Sequence, residues 1–186
     1  MERTERMTRA SLALAFAGLL GAAMPAEAAG DQPLFKGVEN AILSSPRYGV
    51  FDSVGAAVQD GKVVLSGSVR EPWLKDELEK RVAKVTGVTN LTNQIRVQSL
   101  SFNDDRLRLQ IARSIYGSDL LGPFALWANP PVRIVVENGH VTLTGVVVSN
   151  VERQLAGIRA RQTLAFSVDN QIELDSERQG VDRKAS

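Results

Sequence analysis

Histidine is the side chain most often used to move protons near neutral pH, and this sequence has a single one, His140. No cysteine accompanies it anywhere in the 186 residues, so a His/Cys metal cluster lacks its other donors. His140 reads as a solvated or half-packed residue at the start of a strand. Asp104 and Asp105 are adjacent and point different ways, so Asp104 reads as a helix cap rather than half of a carboxylate pair. Ser66 and Ser68 lack the GxSxG elbow that exposes a nucleophile. The stretch "GKVVLSG" from Gly61 lacks the glycine spacing and the Lys-Ser pair of a phosphate loop. No catalytic residue, metal site or cofactor is therefore expected, nor a small-molecule substrate, and the chain reads as a non-enzyme.

The ends and the charge narrow the classes further. "MERTERMTR" is net positive, the apolar run Ala10 to Met24 follows, and Ala26-Glu27-Ala28 has the small-x-small form of a cleavage site. Residues 1–28 are expected to be a signal peptide, because a run of about 15 residues is short for a membrane span. With no Cys to carry acyl groups, a lipoprotein is not expected, and the predicted location is the periplasm. Past that leader the basic and acidic residues almost balance. Such a chain has no large field of one sign with which to neutralise phosphates, which argues against nucleic acid.

The elements that would position any site come as a pair. Gly61 laid on Gly139 brings Val63 onto Val141, Leu65 onto Leu143 and Gly67 onto Gly145; "NQIRV" from Asn93 then meets "NQIEL" from Asn170 with one residue lost. Two matching blocks in the same order indicate one unit used twice. Asp60-Gly61 and Asn138-Gly139 between alternating apolar runs predict two-residue hairpins. A helix should follow each: Pro72 opens the first, with Leu74, Leu78, Val82 and Val85 on one face, and Ser149 or Asn150 caps the second, with Val151, Leu155 and Ile158 as its stripe. A third strand closes each copy. A helix precedes each hairpin, "GVENAILSS" in the first copy, and in the second a helix capped by Asn103 or Asp104 with Leu107, Ile111 and Ile115 inward. The fold class is α+β, α-β-β-α-β per copy, with helices on one face of a three-stranded sheet. The modules are placed at 35–98 and 103–175, with a disordered tail at 176–186.

These residues resemble the BON domain, the bacterial OsmY and nodulation module. The carriers are "DGKVVLSGSV" and "TGVTNLTNQIRV" in the first copy, and "NGHVTLTGVVVS" and "FSVDNQIEL" in the second. The resemblance implies an exported envelope protein whose partner is a phospholipid membrane surface or envelope proteins. For some soluble members it implies an osmotic-stress or chaperone-like role, binding polypeptides. Gly87-Val88 matches the family's helix-to-strand turn. The second copy departs there with Ala165-Phe166, and an Ala at a positive-φ turn would be strained, so the turn should be rebuilt.

The second copy also departs in an insertion, "GSDLLGPFALWANPPV" from Gly117 to Val132, where connections are normally polar. Leu121, Phe124 and Trp127 are the expected apolar contact with a lipid surface or partner. Arg113 and Arg133 would supply positive charge beside it, together with Arg106 and Arg108. The competing reading folds the loop back so that its apolar groups cap the small core. Membrane contact by the modules is the primary functional expectation, and a soluble chaperone-like protein the alternative.

Overall fold

The computed structural model describes residues 31–177. The expected leader lies outside them, as does all of the expected tail except Ser176 and Glu177, which are helical. Each half begins with a helix, α1 (Gln32–Leu43) or α3 (Phe102–Tyr116). An antiparallel hairpin follows, β1 (Ser53–Gln59) with β2 (Lys62–Val69), or β5 (Val132–Glu137) with β6 (His140–Val147). The chain then crosses back through α2 (Pro72–Val82) or α4 (Asn150–Arg161) to a strand parallel to β2 or β6. That last strand is broken in both copies, into β3 (Asn90–Asn93) and β4 (Arg96–Val97), and into β7 (Ser167–Asn170) and β8 (Glu173–Leu174). At the break the Asn93 and Asn170 side chains accept the backbone N–H two residues on, at 3.0 and 3.3 Å. The class is α+β with two α-β-β-α-β modules, as the repeat predicted.

The hairpin tips take the tight form that Asp-Gly and Asn-Gly favour, with φ of 50° and 76° at Asp60 and Gly61 and of 53° and 79° at Asn138 and Gly139. Each tip is held by an acid at the start of the preceding helix. Asp31 accepts from Asp60 N at 2.8 Å, and Asp104 accepts from Asn138 N at 2.9 Å and Gly139 N at 2.8 Å. Asp104 is therefore not the cap expected from the sequence. Ser101 takes that place, accepting from Asp104 N at 3.3 Å, which frees the carboxylate for the two unpaired N–H groups of the turn. The first helix is also longer than "GVENAILSS", because Pro33 is tolerated within the first turn and Leu34, Val38 and Ile42 carry its buried face.

Each module has its own core. In the first, Leu34, Val38 and Ile42 of α1 and Leu74, Leu78 and Val82 of α2 pack on Val63 and Leu65 of β2. In the second, Leu107, Ile111 and Ile115 of α3 pack on Ile134, Val141 and Leu143. The expected face of α4 is corrected. Val151 and Ile158 are exposed, and Glu152, Ala156 and Ala160 point inward. The phase is set by a capping box, in which Ser149 accepts from Glu152 N and the Glu152 carboxylate accepts from Val148 and Ser149 N at 3.0 Å. A Glu bent back over the helix start fixes which side of the first turn meets the sheet.

The modules are joined along β5. Residues 132–136 of that strand are buried on both faces, because residues 48–53 of the first module lie against them. Ile134 N donates to Val50 O at 2.8 Å, and Val50 and Phe51 pack on the second core. Ser53 Oγ and Thr144 Oγ1 are 2.8 Å apart. Arg133, 7 % exposed, lies over the Tyr48 ring at 4.2 Å and donates to Gly49 O at 2.7 Å.

Candidate functional site

The inserted loop leaves α3 at Gly117 and is closed at its base by Tyr116, whose hydroxyl donates to Val132 O at 2.5 Å and accepts from Val132 N at 3.1 Å. Burial outweighs the bond accepted from Val132 N and the charge of Arg133, and pushes the Tyr116 hydroxyl up to about 12, so it stays a neutral donor at physiological pH. Inside the base, Ser118 donates to Ile115 O at 2.6 Å and accepts from Leu121 N at 3.4 Å. A 3-10 helix, Gly122–Leu126, then carries the chain outward, with Pro123 in its first turn. On the return, Asn129 donates to Leu43 O of the first module at 3.0 Å and accepts from Arg133 at 3.2 Å. The loop is thus fixed at both ends, on its own helix and on the neighbouring module.

The residues expected to face a partner separate under this geometry. Leu121 is 0 % exposed and belongs to the second core, so it seals the module and is removed from the contact set. Arg133 is removed as well: its guanidinium is committed to Tyr48, Gly49 and Asn129 between the modules. Arg108 is buried, donating to Val136 O at 2.6 Å and pairing with Asp105 at 2.6 Å. Phe124 is half-buried against the core and stands edge-on to Trp127, ring centroids 4.8 Å apart. Trp127 is 58 % exposed and Arg113 is exposed on α3. Leu126, one of the apolar residues crowded into the loop but not among the expected contact residues, is 96 % exposed at the end of the 3-10 helix. Its signal was present in the run "FALW", but periodicity is uninformative over so short a helix.

Elsewhere the titratable groups are structural. His140 is exposed, with Nδ1 2.7 Å from Ser167 Oγ. Asp52, buried between the modules, accepts from Gly49 N at 2.9 Å and Arg70 N at 2.8 Å; burial raises its carboxyl against those bonds and against Arg133. Burial likewise raises the Tyr48 hydroxyl. A hydrogen bond from Arg81 holds Glu77 below its ordinary value. Among the described residues no group of three His, Asp or Glu is placed to hold a metal ion, and no helix is long and apolar enough to cross a membrane.

Comparison with known proteins gives a family match. The profile described as BON domain matches twice, over residues 36–99 and 103–176. Among solved structures the chain is similar to CdsD, a structural protein of the type III secretion system of Chlamydia trachomatis, with 16 % identity, 82 % of this chain and 97 % of that one covered, and a TM-score of 0.30. It is similar also to the C-terminal domain of that protein, at 15 % identity with 76 % and 96 % covered and a TM-score of 0.30. No curated protein matches.

Proposed function

We propose, from the premise that the chain belongs to the BON domain family in two tandem copies, that it acts at the cell envelope by reversible contact with a phospholipid surface. BON domains are associated with phospholipid binding and envelope proteins, and the family is generally non-catalytic. The observation that carries the reading is the outward turn of the inserted loop, where Leu126 and Trp127 are exposed on a base sealed by Leu121. An indole suits the headgroup level, apolar on one side and able to donate on the other. Arg113 would meet anionic headgroups, each such cation adding about 1 kcal/mol near the surface. One Leu and one Trp bury too little for permanent attachment, so the contact is peripheral. The periplasmic side is the proposed location, on the leader pattern of residues 1–28.

The test is co-sedimentation of the processed protein with phosphatidylglycerol-containing and with neutral vesicles. Binding to the anionic vesicles should be lost in Trp127→Ser and Leu126→Ser and reduced in Arg113→Gln. Failure of the wild type to pellet with either vesicle would end this reading.

A further inference from the structure

The contact between the modules uses one half of a repeated arrangement and leaves the other half open. With Glu137 laid on Gln59, Ile134 falls on Ala56, Arg133 on Gly55 and Val135 on Ala57. Continued towards the N-terminus, the same alignment lays Leu126, Trp127 and Ala128 on Tyr48, Gly49 and Val50. Within the chain, residues 48–53 of the first copy cover the edge of β5 in the second. The counterpart of the covered edge is β1, and the counterpart of the covering segment is 126–130.

The two edges present the same backbone groups. Leu65 O and Leu143 O accept from Gln94 N and Gln171 N at 2.8 Å, on the side of β2 and β6 away from their hairpin partners. Those partners, Ala56 and Ile134, therefore turn their N–H groups outward from the sheet. On each edge a tyrosine closes the preceding outward N–H, Tyr48 that of Val54 at 2.8 Å and Tyr116 that of Val132 at 3.1 Å. At the next position the copies part. Ile134 N donates to Val50 O at 2.8 Å, whereas among the described residues Ala56 N has no acceptor, and Ala128 O, the counterpart of Val50 O, has no donor. The β1 sequence "SVGAAVQ" also lacks the charges and prolines that usually block an unpaired edge.

The side chains at the open pair are exchanged in size. Inside the chain the large Arg133 stands against Gly49, donating to its carbonyl at 2.7 Å. At the open pair Gly55 takes the place of Arg133, and a Cβ there would meet nothing within 4 Å, while the exposed Trp127 takes the place of Gly49. Ala57, exposed, stands where β5 has Val135. The bulk that the strand supplies in one contact is supplied by the segment in the other.

We propose that the β1 edge of one copy of this chain receives residues 126–130 of a second copy, Ala128 O accepting from Ala56 N and the Trp127 indole lying across Gly55 and Ala57. The two patches are unlike, so each pairing leaves one β1 edge and one loop free, and copies add head to tail. This goes beyond the lipid reading, and its β1 side uses none of that reading's residues. The modules within a chain are held together by their linker at an effective concentration of about millimolar, which separate copies lack, so association belongs at about 0.1–1 mM protein.

The experiment is sedimentation velocity of the processed protein without lipid, from about 10 µM to 1 mM. The wild type should pass from monomer to dimer and larger species. Ala56→Pro removes the outward N–H and leaves the β1–β2 ladder intact, as proline on an edge strand does; Ala57→Lys, at an exposed position, is a second block of the same edge. Trp127→Gly, which installs the counterpart residue Gly49, removes the loop's bulk. Each should weaken association by about 10- to 100-fold, while keeping the wild-type urea midpoint. An equimolar mixture of Ala56→Pro, whose loop is intact, with Trp127→Gly, whose edge is intact, should regain association and stop at a dimer. At micromolar protein, where the chain is single, both β1 variants should bind vesicles as the wild type does, so loss of self-association stays separate from any failure of the lipid reading. The proposal is overturned if the wild type stays monomeric through that range, if the β1 variants associate as it does, or if the mixture forms no dimer or grows beyond one.

Discussion

Replacing Arg133 with Met should uncouple the two modules. The guanidinium gives up a 2.7 Å bond to Gly49 O and a 3.2 Å bond to Asn129, and leaves the face of Tyr48 at 4.2 Å. A hydrogen bond from a charged donor is worth about 1.5–3 kcal/mol, and the ring contact in a desolvated site about 2. Against these stands relief from keeping a cation out of water, which makes exchange of buried charge for apolar bulk far cheaper than the contact sum. A methionine side chain keeps most of the stem's packing, and Gly49 O keeps its bond from Asp52 N at 3.1 Å, so the net loss should be about 2–3 kcal/mol, chiefly the lost charged bonds to Gly49 and Asn129 and the freed loop. The chain has two Trp, Trp73 in the first module and Trp127 in the second, so Trp127→Phe and Trp73→Phe backgrounds each report one module. In urea the two reporters should give coincident transitions with Arg133 present. In Arg133→Met the curves should separate and at least one midpoint fall by about 1 M, given slopes of about 1–3 kcal/mol/M. Coincident curves and a shift below about 0.3 M would refute the assignment of Arg133 as the coupling residue.

Three further outcomes follow from individual contacts. Asp104→Asn should cost about 1–3 kcal/mol in thermal or urea unfolding, because Asn138 N and Gly139 N each donate to a different carboxylate oxygen and an amide would set its NH2 against one of them; Asp31→Asn, with one such bond, should cost less. Val151→Ser and Ile158→Ser in α4 should each change stability by less than about 0.5 kcal/mol, whereas Leu78→Ala at the buried face of α2 should cost about 2–5. Burial raises the folded Asp52 carboxyl above 3.8, so the native state binds that proton more tightly than the unfolded chain, and the group's contribution is greatest below 3.8 and is lost as pH rises through the raised value. Urea midpoints across acidic pH should therefore show the wild type gaining on Asp52→Asn as pH falls towards 3.8; parallel profiles would contradict the raised carboxyl.

The repeat was legible because its punctuation is local: Asp60-Gly61 and Asn138-Gly139 require a turn wherever they occur between alternating strands, and Gly67 and Gly145 recur at the same distance from them. The face of α4 was not, because Val151, Leu155 and Ile158 satisfy the helical period as well as Glu152, Ala156 and Ala160 do. Hydrophobicity favoured the wrong stripe, and the capping box that fixed the phase lay one residue to the side of it. The rebuilt turn at Leu164–Phe166 was visible as a departure from the first copy, but that its side chains stay outside is a tertiary result. For the site, the unusual loop was found and its sealing residue misplaced: sequence shows that apolar residues are crowded, whereas only the base formed by Tyr116, Ser118 and Val132 decides that Leu121 turns in and Leu126 turns out.

The placement of Arg133 bears on why the modules are paired at all. Apart from Arg133, β5 is apolar from Val132 to Val136 with no polar alternation, and a strand of that kind is covered on both faces. The second face of β5 is covered by the first module, which also supplies Val50 and Phe51 to the second core and the Leu43 carbonyl to the loop. The first module takes no comparable contribution to its core, which is closed by its own helices and sheet. The dependence therefore runs one way. The first copy keeps large apolar residues at the inner face of its second helix, Leu74, Leu78 and Val82, where the second copy has Glu152, Ala156 and Ala160. A module thinned inside and buttressed from outside can spend its remaining apolar residues on its surface. Leu126 and Trp127 at one end, and Leu164 and Phe166 at the other, are where it does so.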